Sequence, residues 1–389
     1  MSINEYIKPL SSEFVGQLKS ESGGKSLAQY VAFNEQKNLE INAYKIAILG
    51  VGEDRLKDQQ NGSGLAPNEI RKAFYSLVKP RYDISIIDLG NIVNGNSVSD
   101  TYYALKQSVN YLIQQKVLPI IIGGSQDLVY AQYAAHEKQN SNMNVMLLDA
   151  RVDVHVNEQD ELQSSCISKI ISHQPYYLFN IALAGYQSYF VENESYDAFE
   201  RMNFDMVRLG NLRNKIQDIE PLCRNAHMLS FSASAIRASD APGQNLASPN
   251  GFSGEEACAI CRYAGMSSDL QSFGLYDFNP SKDKENYSMQ LAAQMLWYFV
   301  DGFYGRKNDY PAAESKDYMI YRTTFKNSSY EIVFYKSLIS DRWWMEVPYP
   351  RERSTHNGKF LVPCTYSDYQ IALSDEIPDR WMKAYQKLI

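Results

Sequence analysis

The chain has 389 residues, of which 44% are hydrophobic and 21% charged, and carries a formal net charge of −7. Such a composition suits a globular protein with one large α/β domain or two ordinary ones, and it excludes the broadly basic surface with which nucleic-acid and anionic-membrane binders hold their partners. No stretch approaches the about 18 consecutive apolar residues of a membrane span, and the start MSINEYIKPLSSEF has no signal-like apolar centre, so the expectation is a cytoplasmic protein with no membrane insertion and no nucleic-acid partner.

Residues 1–44 read as an N-terminal helical lead-in, two short helices split by the Ser-Gly-Gly-Lys break at 22–25. The first strong strand is 45–52, a continuous apolar run ending in glycine, which is how a buried parallel strand meets its βα loop. Similar runs recur at 84–89, 117–122, 144–148, 228–231 and 272–278, separated by helical stretches at 67–77, 99–115, 128–135, 254–264 and 289–304. Strands alternating with helices predict a three-layer α-β-α domain over 45–305 with a doubly wound, mainly parallel sheet. In such sheets the loops at the strand carboxyl ends build the site.

Residues 306–389 add aromatic strands at 318–325, 330–335, 342–347 and 359–362, then a closing helix at 378–385. This predicts an antiparallel β-rich extension. Trp343, Trp344, Tyr349 and Trp381 concentrate there. They either pack the extension onto the core or anchor a protein partner, since Tyr, Trp and Arg dominate interface hot spots.

Cys166, Cys223, Cys258, Cys261 and Cys364 are too few and too scattered for a disulfide framework. Cys258 and Cys261 form a C-x-x-C in a helical run with no second pair and no histidine at finger spacing, short of the tetrahedral set that zinc takes. Structural thiols are expected.

Three strand-end loops carry the candidate chemistry. Ile120-Ile-Ile-Gly-Gly-Ser125-Gln126-Asp127 follows one strand, Asp149-Ala-Arg151-Val-Asp153 the next, and Ser230-Phe-Ser232-Ala-Ser234 a later one. Taken in order, and together with Gly50-Val-Gly-Glu-Asp54, Gly64-Leu-Ala-Pro67-Asn-Glu-Ile70-Arg71 and Ile87-Asp88-Leu89-Gly90, the chain resembles the ureohydrolases, the arginase, agmatinase and formiminoglutamase family. The resemblance spans about residues 45–305 and implies an arginase-like fold. It also implies a pair of manganese ions whose bridging hydroxide attacks a guanidino or formimino carbon.

The family's G-G-D-H-S, D-A-H-x-D and S-F-D-x-D motifs align here without gaps but lose most of their ligands. Their histidines fall on Gln126 and Arg151, the first motif's neighbouring acid on Ser125, and both acids of the third motif on Ser232 and Ser234. Asp149 and Asp153 keep their carboxylates, and Asp277 takes the place of the family's substrate-side Glu. Hard, oxygen-preferring cations gain little from neutral Ser and Gln oxygens, and a guanidinium has no lone pair to give. The expectation is therefore a vestigial site (Gln126, Asp149, Arg151, Asp153, Ser232, Ser234, Asp277) with no cofactor, and with Arg151 filling a lost metal's place between Asp149 and Asp153. Manganese, on Asp149 and Asp153 if anywhere, belongs to the alternative of a working hydrolase.

Two histidines, His155 and His227, are expected to be structural, and Asp127 to cap the helix that opens at Leu128. Ser253, before a further helix, offers a second cap. Three functional readings follow. The first is a catalytically inactive ureohydrolase-like scaffold, assembly subunit or regulator with a protein partner or homo-oligomeric contacts, and it is the one preferred from sequence. The others are a divergent hydrolase of guanidino or formimino C–N bonds, and a small-molecule binding module using the old crevice.

Overall fold

The computed structural model describes residues 3–21, 24–35, 39–55, 62–139, 142–152, 154, 165–213, 215–311, 317–325, 331–348 and 359–388. Its strands are β1 (Ile7–Lys8), β2 (Ala32–Phe33), β3 (Ile46–Val51), β4 (Ile86–Ile92), β5 (Leu118–Ile122), β6 (Met143–Leu148), β7 (Leu178–Tyr186), β8 (Asp205–Arg208), β9 (Met228–Ser232) and β10 (Ser272–Tyr276). These form one ten-stranded sheet in the order β1-β4-β3-β5-β10-β9-β6-β7-β8, with β2 also on β4. Every pairing is parallel except β1 with β4. Consecutive strands β5 and β6 are held apart by β10 and β9, so a crevice opens at their carboxyl ends, the switch point where such folds place their sites.

The apolar runs explain the sheet. All six residues of β3 and all five of β5 are buried, and two apolar clusters pack against the sheet, one led by Ile46, Ile48 and Ile120 and the other by Ala47, Leu49 and Ile121. That alternation along each strand is the period of two that sends successive side chains to opposite faces. Helix Val98–Gln114 begins at a capping box of Ser97 and Asp100, and helix Gly254–Met266 at one of Ser253 and Glu256, as its sequence predicts. Helices Gly254–Met266 and Tyr287–Tyr304 pack so closely that a Cβ on Gly265 would lie 2.1 Å from the Phe299 carbonyl oxygen.

Two of the recognised motifs meet in one buried ion pair. Arg71, fully buried, donates from Nε and Nη2 to the two carboxylate oxygens of Asp88 at 2.7 and 3.0 Å, from Nη2 to Gly90 O at 2.8 Å, and from Nη1 to Asn91 and Asn68 at 2.6 and 3.2 Å. The Tyr75 hydroxyl adds a 2.5 Å bond to Asp88. Every guanidinium N–H has a taker, so a pair that would otherwise be costly in the interior is fully satisfied.

The N-terminal segment differs from expectation. One helix, Ser12–Glu21, forms; the second stretch holds two 3-10 turns, Leu27–Gln29 and Ile41–Ala43, and the strands β1 and β2 extend the sheet at β4. Strands β7 and β8 were also not anticipated. β7 is interrupted by Asn180 and Gly185, poor strand formers, and β8 is a half-buried edge without a continuous apolar run.

The extension is a second, antiparallel sheet of β11 (Tyr318–Thr324), β12 (Glu331–Ser337), β13 (Trp343–Pro348) and β14 (Lys359–Cys364), followed by helices Tyr366–Leu373 and Asp379–Leu388. Trp343, Trp344 and Trp381 are only 7%, 1% and 4% exposed, which corrects their assignment as partner anchors: they are consumed in packing. Tyr349 lies outside the described residues. Arg224 stacks on Trp344 at 4.2 Å and donates to the carbonyls of Trp343 and Cys364, while Glu220 pairs with both Arg224 and Arg342 at 3.1 Å. This buried charge cluster joins the extension to the core. No helix among the described residues is long and apolar enough to cross a membrane.

Asp88→Asn leaves the Arg71 charge buried and partly unpaired. Urea unfolding of this variant is expected to show a loss of about 3–5 kcal/mol relative to the parent.

Candidate active site

The turn after β5 brings the first motif into the crevice. A Cβ on Gly124 would sit 2.0 Å from Glu53 O, so only glycine allows the close approach that seats the turn, and Ser125 N–H donates to that same carbonyl at 3.1 Å. After β10, Asp277 turns back with a left-handed φ of 65° and its N–H donates to Gly124 O at 2.8 Å. The three motif loops after β5, β6 and β9 converge as the sequence predicts, and the loop after β10 joins them.

Their side chains form one connected network. Gln126 donates through its backbone N–H to Asp277 Oδ1 at 3.0 Å and through its side-chain amide to Asp149 Oδ2. Asp149 Oδ1 accepts from the Ser234 hydroxyl at 2.6 Å and from the Arg151 N–H at 3.0 Å. The Ser232 hydroxyl lies 2.7 Å from Asp277 Oδ2 and 2.9 Å from Ser234 Oγ. Asp149, Ser232 and Ser234 are buried, whereas Gln126, Arg151 and Asp277 are partly exposed.

Burial pushes the Asp277 carboxyl up to about 7; the Ser232 hydrogen bond opposes this and the charge of Asp149 adds to it. A count of protons supports the direction. Ser232 has one hydroxyl hydrogen and two oxygens within bonding distance. If Asp277 is protonated it donates to Ser232, Ser232 to Ser234 and Ser234 to Asp149, and every contact is a hydrogen bond; if it is ionised, one contact has no hydrogen.

Two expectations are corrected here. Asp127 does not cap its helix: its backbone is already helical, and its carboxylate instead accepts from the Tyr102 hydroxyl at 2.6 Å and from Ser125. Burial raises the Asp127 carboxyl, against the pull of these two bonds. Arg151 does not reach between the two acids of its loop by a side-chain bond to Asp149. Its guanidinium stacks on Phe190 at 4.0 Å, and only its backbone bonds Asp149. Arginine favours an aromatic face when one is near, and nothing in the local sequence announces that Phe190, from another loop, would supply it. Asp153 and His155 lie outside the described residues. His227 sits at the opposite end of the sheet, where its Nδ1 accepts from Asn144 N–H at 3.0 Å.

Sequence reasoning also passed over the support of this wall. Glu53 holds Arg55 in a bidentate pair and accepts from Thr101 at 2.8 Å. Burial raises its carboxyl, but these bonds outweigh that and leave it lowered. The five cysteines are free, as expected, and burial pushes the thiols of Cys223, Cys258, Cys261 and Cys364 up.

Among the described residues, the donor set does not fit a pair of manganese ions. At the motif positions it offers one described carboxylate, an amide and two hydroxyls, each already engaged in the network, and among the described residues no group of three or more His, Cys, Asp or Glu gathers to hold a metal.

A doubly wound parallel sheet with these motif loops converging at its switch point defines a ureohydrolase-type α/β protein. Residues 44–301 match the model of the Arginase family, and the chain belongs to that family. Relatives include the formimidoylglutamase of Geobacillus sp. (strain WCH70), 24% identical over 319 residues that cover 78% of this chain and 98% of the relative, and that of Lysinibacillus sphaericus (strain C3-41), 22% identical over 275 residues covering 67% and 85%. Among solved structures, Trypanosoma cruzi formiminoglutamase with Mn2+2 superposes with a TM-score of 0.63 at 17% identity, covering 69% of this chain and 97% of that one. Bacillus subtilis formimidoylglutamase gives 0.65 at 15%, covering 72% and 92%. The structural likeness establishes the arginase-like fold.

Asp277 gives the site a pH signature. A carboxyl raised from 3.8 to about 7 makes the folded state bind more protons than the unfolded one between those values. Its contribution is therefore lost as pH rises from about 4 through 7 and is flat above. Asp277→Asn is expected to flatten that decline and to stabilise the protein by about 2 kcal/mol at pH 8, allowing for solvent reaching a partly exposed residue, as melting curves from pH 4 to 8 will check.

Proposed function

We propose that the protein is a formimidoylglutamase-like member of the Arginase family whose crevice takes a linear amidine, a formimino or guanidino compound, without the family's dinuclear manganese. The compound class is supported by the curated relatives, which are formimidoylglutamases over most of their length. The observation that carries the reading is the network itself: two carboxylates, Asp149 and Asp277, remain at the crevice and are held by hydroxyls and an amide where metal ligation would need acids and histidines.

Chemically the site offers acceptors for an amidinium N–H, and one group, Asp277, able to exchange a proton near neutral pH. The relatives favour hydrolysis of a C–N bond over a purely structural role. A scaffold or regulator built on the extension's tryptophans loses its motive, because those side chains are buried. A protein partner or homo-oligomer elsewhere on the surface is a separate proposal on which the crevice reading does not depend.

The deciding experiment measures ligand-dependent melting, metal content and turnover on the same full-length preparation. With formimidoylglutamate at about 100 times Kd, melting is expected to reflect roughly 2.7 kcal/mol of added stability, lost in Asp149→Asn. After incubation with manganese and desalting, the parent is expected to hold no stoichiometric metal, whereas the combined Gln126→His, Arg151→His, Ser232→Asp, Ser234→Asp variant gains it. Near-stoichiometric manganese with chelator-sensitive formamide release in the parent would restore the family's ordinary chemistry; no response to any amidine would overturn the crevice as a binding site.

A further inference from the structure

The edge of a sheet presents unpaired backbone N–H and C=O groups and recruits a further strand unless something guards it. The large sheet ends in β1 and β8, strands of two and four residues, too short to template much pairing. In the extension, β14 carries Pro363, which has no N–H to offer, and its Cys364 carbonyl accepts from Arg224 at 3.4 Å. β11 at the other edge has none of these guards. It is seven residues long, contains neither proline nor lysine, and among the described residues pairs only with β12.

The ladder with β12 fixes which backbone groups of β11 are spare. Asp317 O accepts from the Leu338 N–H at 2.9 Å, and opposed residues in an antiparallel pair alternate between exchanging two bonds and exchanging none. Met319, Tyr321 and Thr323 therefore bond β12, and the N–H and C=O groups of Tyr318, Ile320, Arg322 and Thr324 point away from it. Apolar surface coincides with this edge. Most of the large aliphatic side chains exposed among the described residues belong to the extension, and Met319 and Ile320 of β11 are 45% and 55% exposed. The single charge on the strand, Arg322, is neutralised by Glu331 of β12.

We infer that β11 is a dimerisation edge, to which a second copy of this chain adds its own β11 antiparallel, about a two-fold axis at Ile320. The occupant follows from reading the strand against itself. With Ile320 opposite the partner's Ile320, Tyr318 meets the partner's Arg322 and Met319 meets the partner's Tyr321, so an aromatic ring faces the guanidinium, another faces the thioether sulfur, and no like charges are opposed. The same register pairs the outward backbone groups of Tyr318, Ile320 and Arg322 with those of the partner's Arg322, Ile320 and Tyr318. An axis at Tyr321 would instead set each Ile320 against an arginine. Tyr369 of helix Tyr366–Leu373 packs on Tyr321 at 5.2 Å, so in the dimer the two copies of this helix lie on one face of a continuous sheet.

Sedimentation velocity and light scattering of the full chain over a concentration series are expected to show a dimer with a Kd on the order of micromolar. Ile320→Pro removes only an outward N–H and leaves the β12 ladder whole, and Ile320→Lys places two like charges on the axis at an exposed position, which keeps the test open should the proline variant not fold. Each is expected to weaken dimerisation at least about tenfold, whereas Val78→Lys, at a core-domain position 63% exposed, leaves it unchanged. Register is read by cross-linking with a short bis-maleimide: Ile320→Cys is expected to give a covalent dimer and Thr324→Cys, whose copies lie at opposite ends of the paired strands, is not. A parent that stays monomeric well above micromolar concentration, a dimer that survives Ile320→Lys, or cross-linking as strong from Thr324→Cys as from Ile320→Cys would overturn the proposal.

Discussion

Two carboxylates at buried strand ends set the terms for this crevice. Asp149 follows β6 and Asp277 follows β10, and Asp277 meets no cation among the described residues. Taking a carboxylate out of water is costly unless donors replace the solvent, and a hydrogen bond to a charged group contributes about 1.5–3 kcal/mol. Ser234, Gln126 and two backbone N–H groups are those donors, and Ser232 joins them when Asp277 is ionised. The proton that Asp277 retains near neutrality removes part of the remaining repulsion. The replacements at the motif positions therefore act together: each hydroxyl or amide satisfies an oxygen that a cation would otherwise have to meet.

This accommodation leaves the fold untouched because the framework motifs do other work. Gly124 is needed for contact with Glu53, and Arg71 with Asp88 and Gly90 ties a helix to β4. None of these depends on what occupies the crevice. Loops on a rigid sheet can change their chemistry while the sheet keeps its packing, which is why function has to be argued from the site and not from the architecture.

Much of this was legible in the chain. Continuous apolar runs located six strands of the parallel sheet, and the Gly, Pro, Ile-Arg and Asp-x-Gly positions were readable because each demands a particular backbone or a fully paired buried charge. The loop convergence followed from the parallel topology. What was not legible depended on residues distant in sequence: Phe190 beneath Arg151, Tyr102 on Asp127, and the burial of Trp343, Trp344 and Trp381 against the extension's own helices and Arg224. Aromatic residues at strand positions look alike whether they face solvent or a neighbouring layer. The helix Tyr366–Leu373 that covers Trp343 did carry a signal, since Thr365 and Asp368 form a capping box, yet it was masked by the strand-like aromatic run before it.

The position of Arg151 shows how charge is distributed once a metal-type loop is rebuilt. Arg151 is partly exposed, its guanidinium stacked on Phe190, while its backbone alone serves Asp149. A cation placed against both carboxylates would neutralise the crevice and close it to a cationic guest. Placed on an aromatic face to one side, it leaves Asp277 bonded to the Ser232 hydroxyl and the Gln126 backbone N–H, neutral groups that an amidinium can displace or share. An anionic tail on the same guest would find the guanidinium at the rim. On the function proposed above, a molecule with a positive, planar head and a negative end is favoured over a neutral one of equal size, because a neutral guest would displace the existing donors without bringing charge to compensate for the bonds it breaks.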